Sequence, residues 1–100
     1  MAANISSATL SRTAADGPAV IEALVATESA AILQVVFTVH RGTLLIGGAS
    51  EVSSANSLRL GQDDPPLVLD FIATNPANGE LSVLADGSEP TVFSVYTYGA

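Results

Sequence analysis

The chain has no cysteine, no lysine and no tryptophan, and only one histidine. Without cysteine there is neither a disulfide nor a thiolate metal site, so a fold of this sequence rests on packing alone. Three arginines stand against ten acidic residues, for a net charge of -7. Nucleic-acid binding needs several cationic groups to displace condensed counterions. Here Arg12, Arg41 and Arg59 form no cluster, and residues 60–100 hold none. The same shortage argues against anionic membrane surfaces. A long apolar run is missing too. The greasiest stretch, Pro18 to Val39, is broken by Glu22, Glu28 and Gln34, whereas a spanning helix needs about 20 predominantly apolar residues. The opening Met1-Ala2-Ala3-Asn4-Ile5-Ser6-Ser7 has no basic or apolar segment of a signal peptide. Its initial Met is what a complete small gene product would show, and the chain is expected to be soluble and intracellular in origin.

What is present is a core. Hydrophobic residues make up 48% of the 100 positions, and Leu, Ile, Val and Phe supply 29 of them, well above what a disordered chain carries. One hundred residues make one domain. Residues 1–17 are small and polar and read as an extended arm with a strand near Ala8–Thr13, or as a frayed end. Asp16-Gly17-Pro18 punctuates. The following Val20, Ile21, Leu24 and Val25 fit a short helix or a buried strand over 19–27, and the spacing leaves both open. From Ala31 a long strand is clear, with Leu33, Val35, Phe37 and Val39 on one face and Ile32, Gln34, Val36, Thr38 and His40 on the other. Arg41-Gly42 turns into a second apolar strand, Thr43–Ile46, and 49–57 reads as loop or edge. Leu58-Arg59-Leu60 alternates, and the breaker 61–66 follows. Leu67, Leu69, Phe71 and Ala73 share a face. Asn75–Gly79 and Asp86-Gly87 supply turn residues, so the spacing predicts a three-strand meander from Leu67 to Tyr98. The fold class is mainly β: a small antiparallel β-sandwich or barrel-like domain of about seven strands.

Residues that could carry chemistry are few. His40 is the one side chain with an ordinary pKa near neutrality, and beside Arg41 at a strand end it reads as a surface or interface contact rather than a base. With one His and no Cys, a zinc site lacks ligands. Asp63-Asp64 and Asp86-Gly87-Ser88-Glu89 offer oxygen atoms for calcium, but they lack the spaced pattern of a dedicated loop and read as turn formers. None of the 11 serines sits in a Gly-x-Ser-x-Gly elbow. No cofactor, no metal and no enzymatic activity are expected. A small hydrolase using His40 is the weakest of the readings kept.

The last strand is different. Val92, Tyr96 and Tyr98 fall on one parity, Phe93 and Val95 on the other. Both faces are therefore greasy, as in a central strand of a sandwich or as in an aromatic patch that docks on a partner. Ala31–Val39 and Leu67–Ile72 share this two-sidedness, which points to burial in an oligomer.

The polar arm Met1–Thr13, the compact stretch Leu67–Tyr98 and the acidic, Cys-free composition together resemble the small decoration, or cement, proteins of tailed-phage capsids. The likeness is one of type and has no diagnostic motif. It implies a structural virion protein on the capsid exterior, made in the host cytoplasm. Such a protein would bridge the major capsid protein or other shell subunits and form a trimer or dimer, without nucleic acid or membrane as partner. The residues expected at its interface are Ile5, Leu10 and Arg12 from the arm and Val92, Tyr96 and Tyr98 from the last strand. The alternative is a stand-alone β-sandwich module that binds carbohydrate or a receptor.

Overall fold

The structure, a computed structural model, describes residues 4–20, 24–25, 31–48, 57–71 and 81–99. They form eight strands: β1 (Asn4–Arg12), β2 (Ala19–Val20), β3 (Ile32–Arg41), β4 (Thr43–Gly48), β5 (Leu58–Gly61), β6 (Leu67–Asp70), β7 (Leu81–Ala85) and β8 (Thr91–Gly99), with one 3-10 turn at Ala14–Asp16. Two four-stranded antiparallel sheets result, in the orders β1-β8-β3-β6 and β2-β7-β4-β5. The pairs β1·β8, β2·β7, β3·β6 and β4·β5 nest inside one another. The first half of the chain thus runs against the second half in reverse, and the long double ribbon so formed is wrapped into two layers. This is the strand order of a jelly roll. The fold is a sandwich, as expected from the alternating strands, with eight strands and no barrel closure.

Three details differ from the sequence expectations. First, β6, β7 and β8 do not form a meander, because β7 lies in the opposite sheet from the other two. Turn residues and alternation are local signals, and they do not say whether the next strand pairs beside the last or crosses to the facing layer. The Asn75–Gly79 turn itself lies outside the described residues, as do 49–56 and most of 21–30. Of the undecided segment 19–27, Ala19–Val20 is strand and Val25 is buried in the core. Second, the strict alternation of β3 breaks at a bulge, where the register against β8 shifts between Ile32 and Gln34. An extra residue on one strand reverses parity, so Ile32 joins Val35, Phe37 and Val39 inside. Third, the described part of the expected arm 1–17 is built into the first sheet of the expected body 18–100. Asn4–Arg12 pairs with β8 along its whole length, from Asn4↔Gly99 to Arg12↔Thr91.

The core lies between the sheets. Val35, Phe37, Val39, Phe93 and Val95 of the first sheet meet Leu44, Ile46, Leu60, Leu81 and Val83 of the second. Leu10, Leu67, Leu69 and Phe71 pack against its rim. Thr91 and Thr97 also point inward, and each hydroxyl donates to a backbone carbonyl, Thr43 O at 3.0 Å and Ser6 O at 3.4 Å. Two outward positions of the second sheet are buried as well. Leu45 and Ser82 alternate with inward residues, yet each is only 1% exposed.

The Ser82 hydroxyl is buried and has no hydrogen-bond partner among the described residues. A buried polar group left unpaired keeps its desolvation cost with no compensation. Ser82→Ala is therefore expected to raise unfolding stability by about 1 kcal/mol, read as a higher urea midpoint at unchanged slope. A loss of stability would mean that the hydroxyl has a partner in solution.

Candidate functional site

The outward face of the first sheet is left unused by the core. Its side chains form rows across the strands. Ile5, Tyr98, Gln34 and Asp70 make one row, and Ser7, Tyr96, Val36 and Val68 the next. Thr9, Ser94 and Thr38 follow, and then Ser11, Val92 and the end of β3. Neighbouring strands are about 4.8 Å apart and directly opposed side chains about 5 Å apart. Ile5, Tyr98, Tyr96, Val36 and Val68 therefore form one connected apolar and aromatic patch. Ile5 is 62% exposed, Val68 50% and Tyr98 40%, while Tyr96 and Val36 are half-buried between their neighbours. The only carboxylate in these rows is Asp70, at the β6 edge, and it accepts a hydrogen bond from Gln34 Nε2 at 2.9 Å. A tyrosine suits such a face, with an apolar ring to bury and a hydroxyl to keep wet.

Of the six residues expected at an interface, the structure brings four onto this face: Ile5, Val92, Tyr96 and Tyr98. The other two go elsewhere. Leu10 turns inward against the core. Arg12 donates from Nη2 to the carbonyls of Asp16 and Gly17, at 3.3 and 3.4 Å, and so ties the end of β1 to the turn after it. Both stand at even positions of β1, and in a strand that one parity fixes which face a side chain meets. Val36 and Val68 belong to the patch but were not singled out from sequence. Their alternation was visible, whereas the β3·β6 pairing that brings them together was not.

His40 stands next to the patch. Its Nε2 lies 2.8 Å from Ser94 Oγ, which in turn lies 2.8 Å from Thr9 Oγ1. This chain of side chains links β3, β8 and β1 across an open sheet surface. A Ser–His pair could serve a nucleophile, but acyl transfer also needs donors for the oxyanion and a group to orient the imidazole. Among the described residues none stands beside these two.

At one end of the sandwich the crossings 13–18, Gly42, 62–66 and 86–90 are knitted together. Ala14 N–H donates to Gly87 O at 2.9 Å, Asp86 N–H to Thr43 O at 3.0 Å and Gln62 N–H to Gly42 O at 3.1 Å. A polar, open cleft of about 310 Å³ lies between them, walled by Arg41, Gln62, Asp86, Ser88 and Glu89. The acidic turns act locally. Asp64 Oδ2 accepts from Gly61 N–H at 2.7 Å, Asp16 Oδ2 from Thr13 N–H at 2.7 Å, and Asp86 pairs with Arg59 at 2.8 Å. Two of the three arginines are thus engaged within the chain. No helix among the described residues is long and apolar enough to cross a membrane.

Fold and face together define an eight-stranded sandwich in jelly-roll order with apolar and aromatic side chains exposed on the outward face of one sheet. The chain matches no protein-family model, no curated protein and no solved structure. The class therefore rests on the strand pairing itself.

Proposed function

We propose that this chain is a structural component of a protein shell, a decoration protein on a virion capsid, that seats the outward face of the β1-β8-β3-β6 sheet on shell subunits. The observation that carries this reading is the connected, uncharged patch Ile5–Tyr98–Tyr96–Val36–Val68 on an otherwise acidic molecule. Interface centres are enriched in aromatic residues and depleted in charge, and this face has that composition. The remaining charge keeps the free subunit soluble. The jelly roll recurs in viral capsid domains, and equally in lectins. Fold alone is an analogy, and the face is the argument.

The test is co-sedimentation with shells assembled from the major capsid protein of a tailed phage. Wild-type protein is expected to pellet with the shells and to raise the temperature at which they break. Tyr98→Asp, which puts a charge within the patch, is expected to weaken binding at least tenfold with an unchanged circular-dichroism spectrum. Equal binding by Tyr98→Asp, or no binding by the wild type, overturns the reading.

The polar cleft favours the second reading, a carbohydrate- or receptor-binding module. Among the described residues its walls carry no aromatic ring on which a sugar could stack. Hits on a glycan array that vanish with Arg41→Ala would establish the second reading over the first.

A further inference from the structure

The four sheet edges are not alike. A strand edge presents unpaired backbone donors and acceptors, and proteins blunt such edges with short length, charge, proline or bulges. β2 is two residues long and follows Pro18. β5 is four residues and carries Arg59. β6 is four residues, follows Pro65-Pro66 and ends on Asp70. β1 has none of these devices. It is nine residues long, is uncharged from Asn4 to Ser11, contains no proline, and keeps an unbroken register with β8. Among the described residues no strand pairs with its other side.

We propose that β1 pairs antiparallel with β1 of a second copy of this chain, making one eight-stranded sheet across a two-fold axis. This goes beyond the docking face, since it uses the edge of that sheet and needs no shell. Symmetry dictates the register. A two-fold axis between antiparallel neighbours stands perpendicular to the sheet, so inward residues must oppose inward ones. Even positions then meet even positions. Centring the axis on Ala8 uses all nine residues and sets Ala8 against Ala8, Ser7 against Thr9, Ser6 against Leu10 and Ile5 against Ser11.

Electrostatics permits a second copy as the occupant. A chain of net charge -7 repels itself wherever its carboxylates face each other, but in this register no two like charges meet. The one charged residue, Arg12, falls opposite Asn4. The same axis leaves both Ile5–Tyr98 patches on one side of the joined sheet, which doubles the face offered to a single partner.

The experiment is sedimentation of the purified chain across a concentration series. The expected result is a shift from 10.1 kDa to about twice that mass. Ser7→Asp with Thr9→Asp places carboxylates directly opposite one another and is expected to weaken the dimer at least tenfold. Backbone amide exchange of the wild-type protein supplies a reading that needs no variant, because Asn4–Arg12 amides should gain protection above the dimerisation concentration. A monomer at all concentrations up to about 1 mM, an undiminished dimer of the double variant, or protection gained only elsewhere overturns the proposal. Shell binding by a strictly monomeric chain would overturn this inference and leave the docking face standing.

Discussion

Phe93→Ala is expected to destabilise the domain by about 4 kcal/mol, within the range for emptying a fully buried aromatic site. Phe93 is 0% exposed and is the third residue of β8, with Leu10 opposite on β1 and Val39 opposite on β3. Its ring faces the second sheet, and neighbours held by two ladders cannot close over the void. Single domains have total stabilities of about 5–15 kcal/mol, so this one change removes a large part of the margin. Tyr98→Ala is the matched comparison on the same strand. It stands on the outward face at 40% exposure, and it is expected to cost under about 1 kcal/mol. Urea denaturation of the two variants measures both. Comparable losses would mean that the outward face is covered in the free chain, and the docking face would fall with that result.

The contrast within β8 also marks how far the sequence could be read. Its two greasy parities allowed a central strand or a docking strand, and the structure shows a central strand with Phe93 and Val95 inside and Tyr96 and Tyr98 outside. Strand positions were legible because alternation is local: Val35, Phe37, Val39, Leu67, Leu69 and Phe71 all lie where their spacing put them. Partnership was not legible. Nothing in Asp86-Gly87 distinguishes a hairpin from the five-residue step that carries β7 across to β8 in the other sheet. The bulge that turns Ile32 inward leaves no mark in composition either. The proposed docking face shares this limit. Ile5, Val92, Tyr96 and Tyr98 could be named from their chemistry, but Val36 and Val68 joined them only through long-range pairing, and Leu10 and Arg12 left them through strand parity.

Gly42→Ala is the second large effect, expected at about 3 kcal/mol. Gly42 is the whole connection between β3 in one sheet and β4 in the other. It turns the chain with φ +84°, and its backbone is held on both sides, by Gln62 Oε1 at its N–H and by Gln62 N–H at its carbonyl. A left-handed conformation costs a residue with a Cβ about 1–2 kcal/mol. Here a Cβ would also stand 2.8 Å from Thr91 Oγ1 and 3.2 Å from Thr91 Cα. The hydroxyl could rotate away only by giving up its bond to Thr43 O at 3.0 Å, and the Cα cannot move without shifting the start of β8. Overpacking of this kind adds roughly 1–3 kcal/mol. Gly17→Ala is the comparison without a clash, since Gly17 has φ +76° and ψ 177°, a backbone that glycine alone adopts readily, but open space where its Cβ would lie. It should cost the conformational part alone, roughly 1–3 kcal/mol. Adding Thr91→Ala to Gly42→Ala should recover part of the packing cost, because it removes the hydroxyl but not the Cα. A coupling between positions 42 and 91 below about 0.5 kcal/mol would assign the whole cost to the backbone and show that the two sheets are not clamped at this contact.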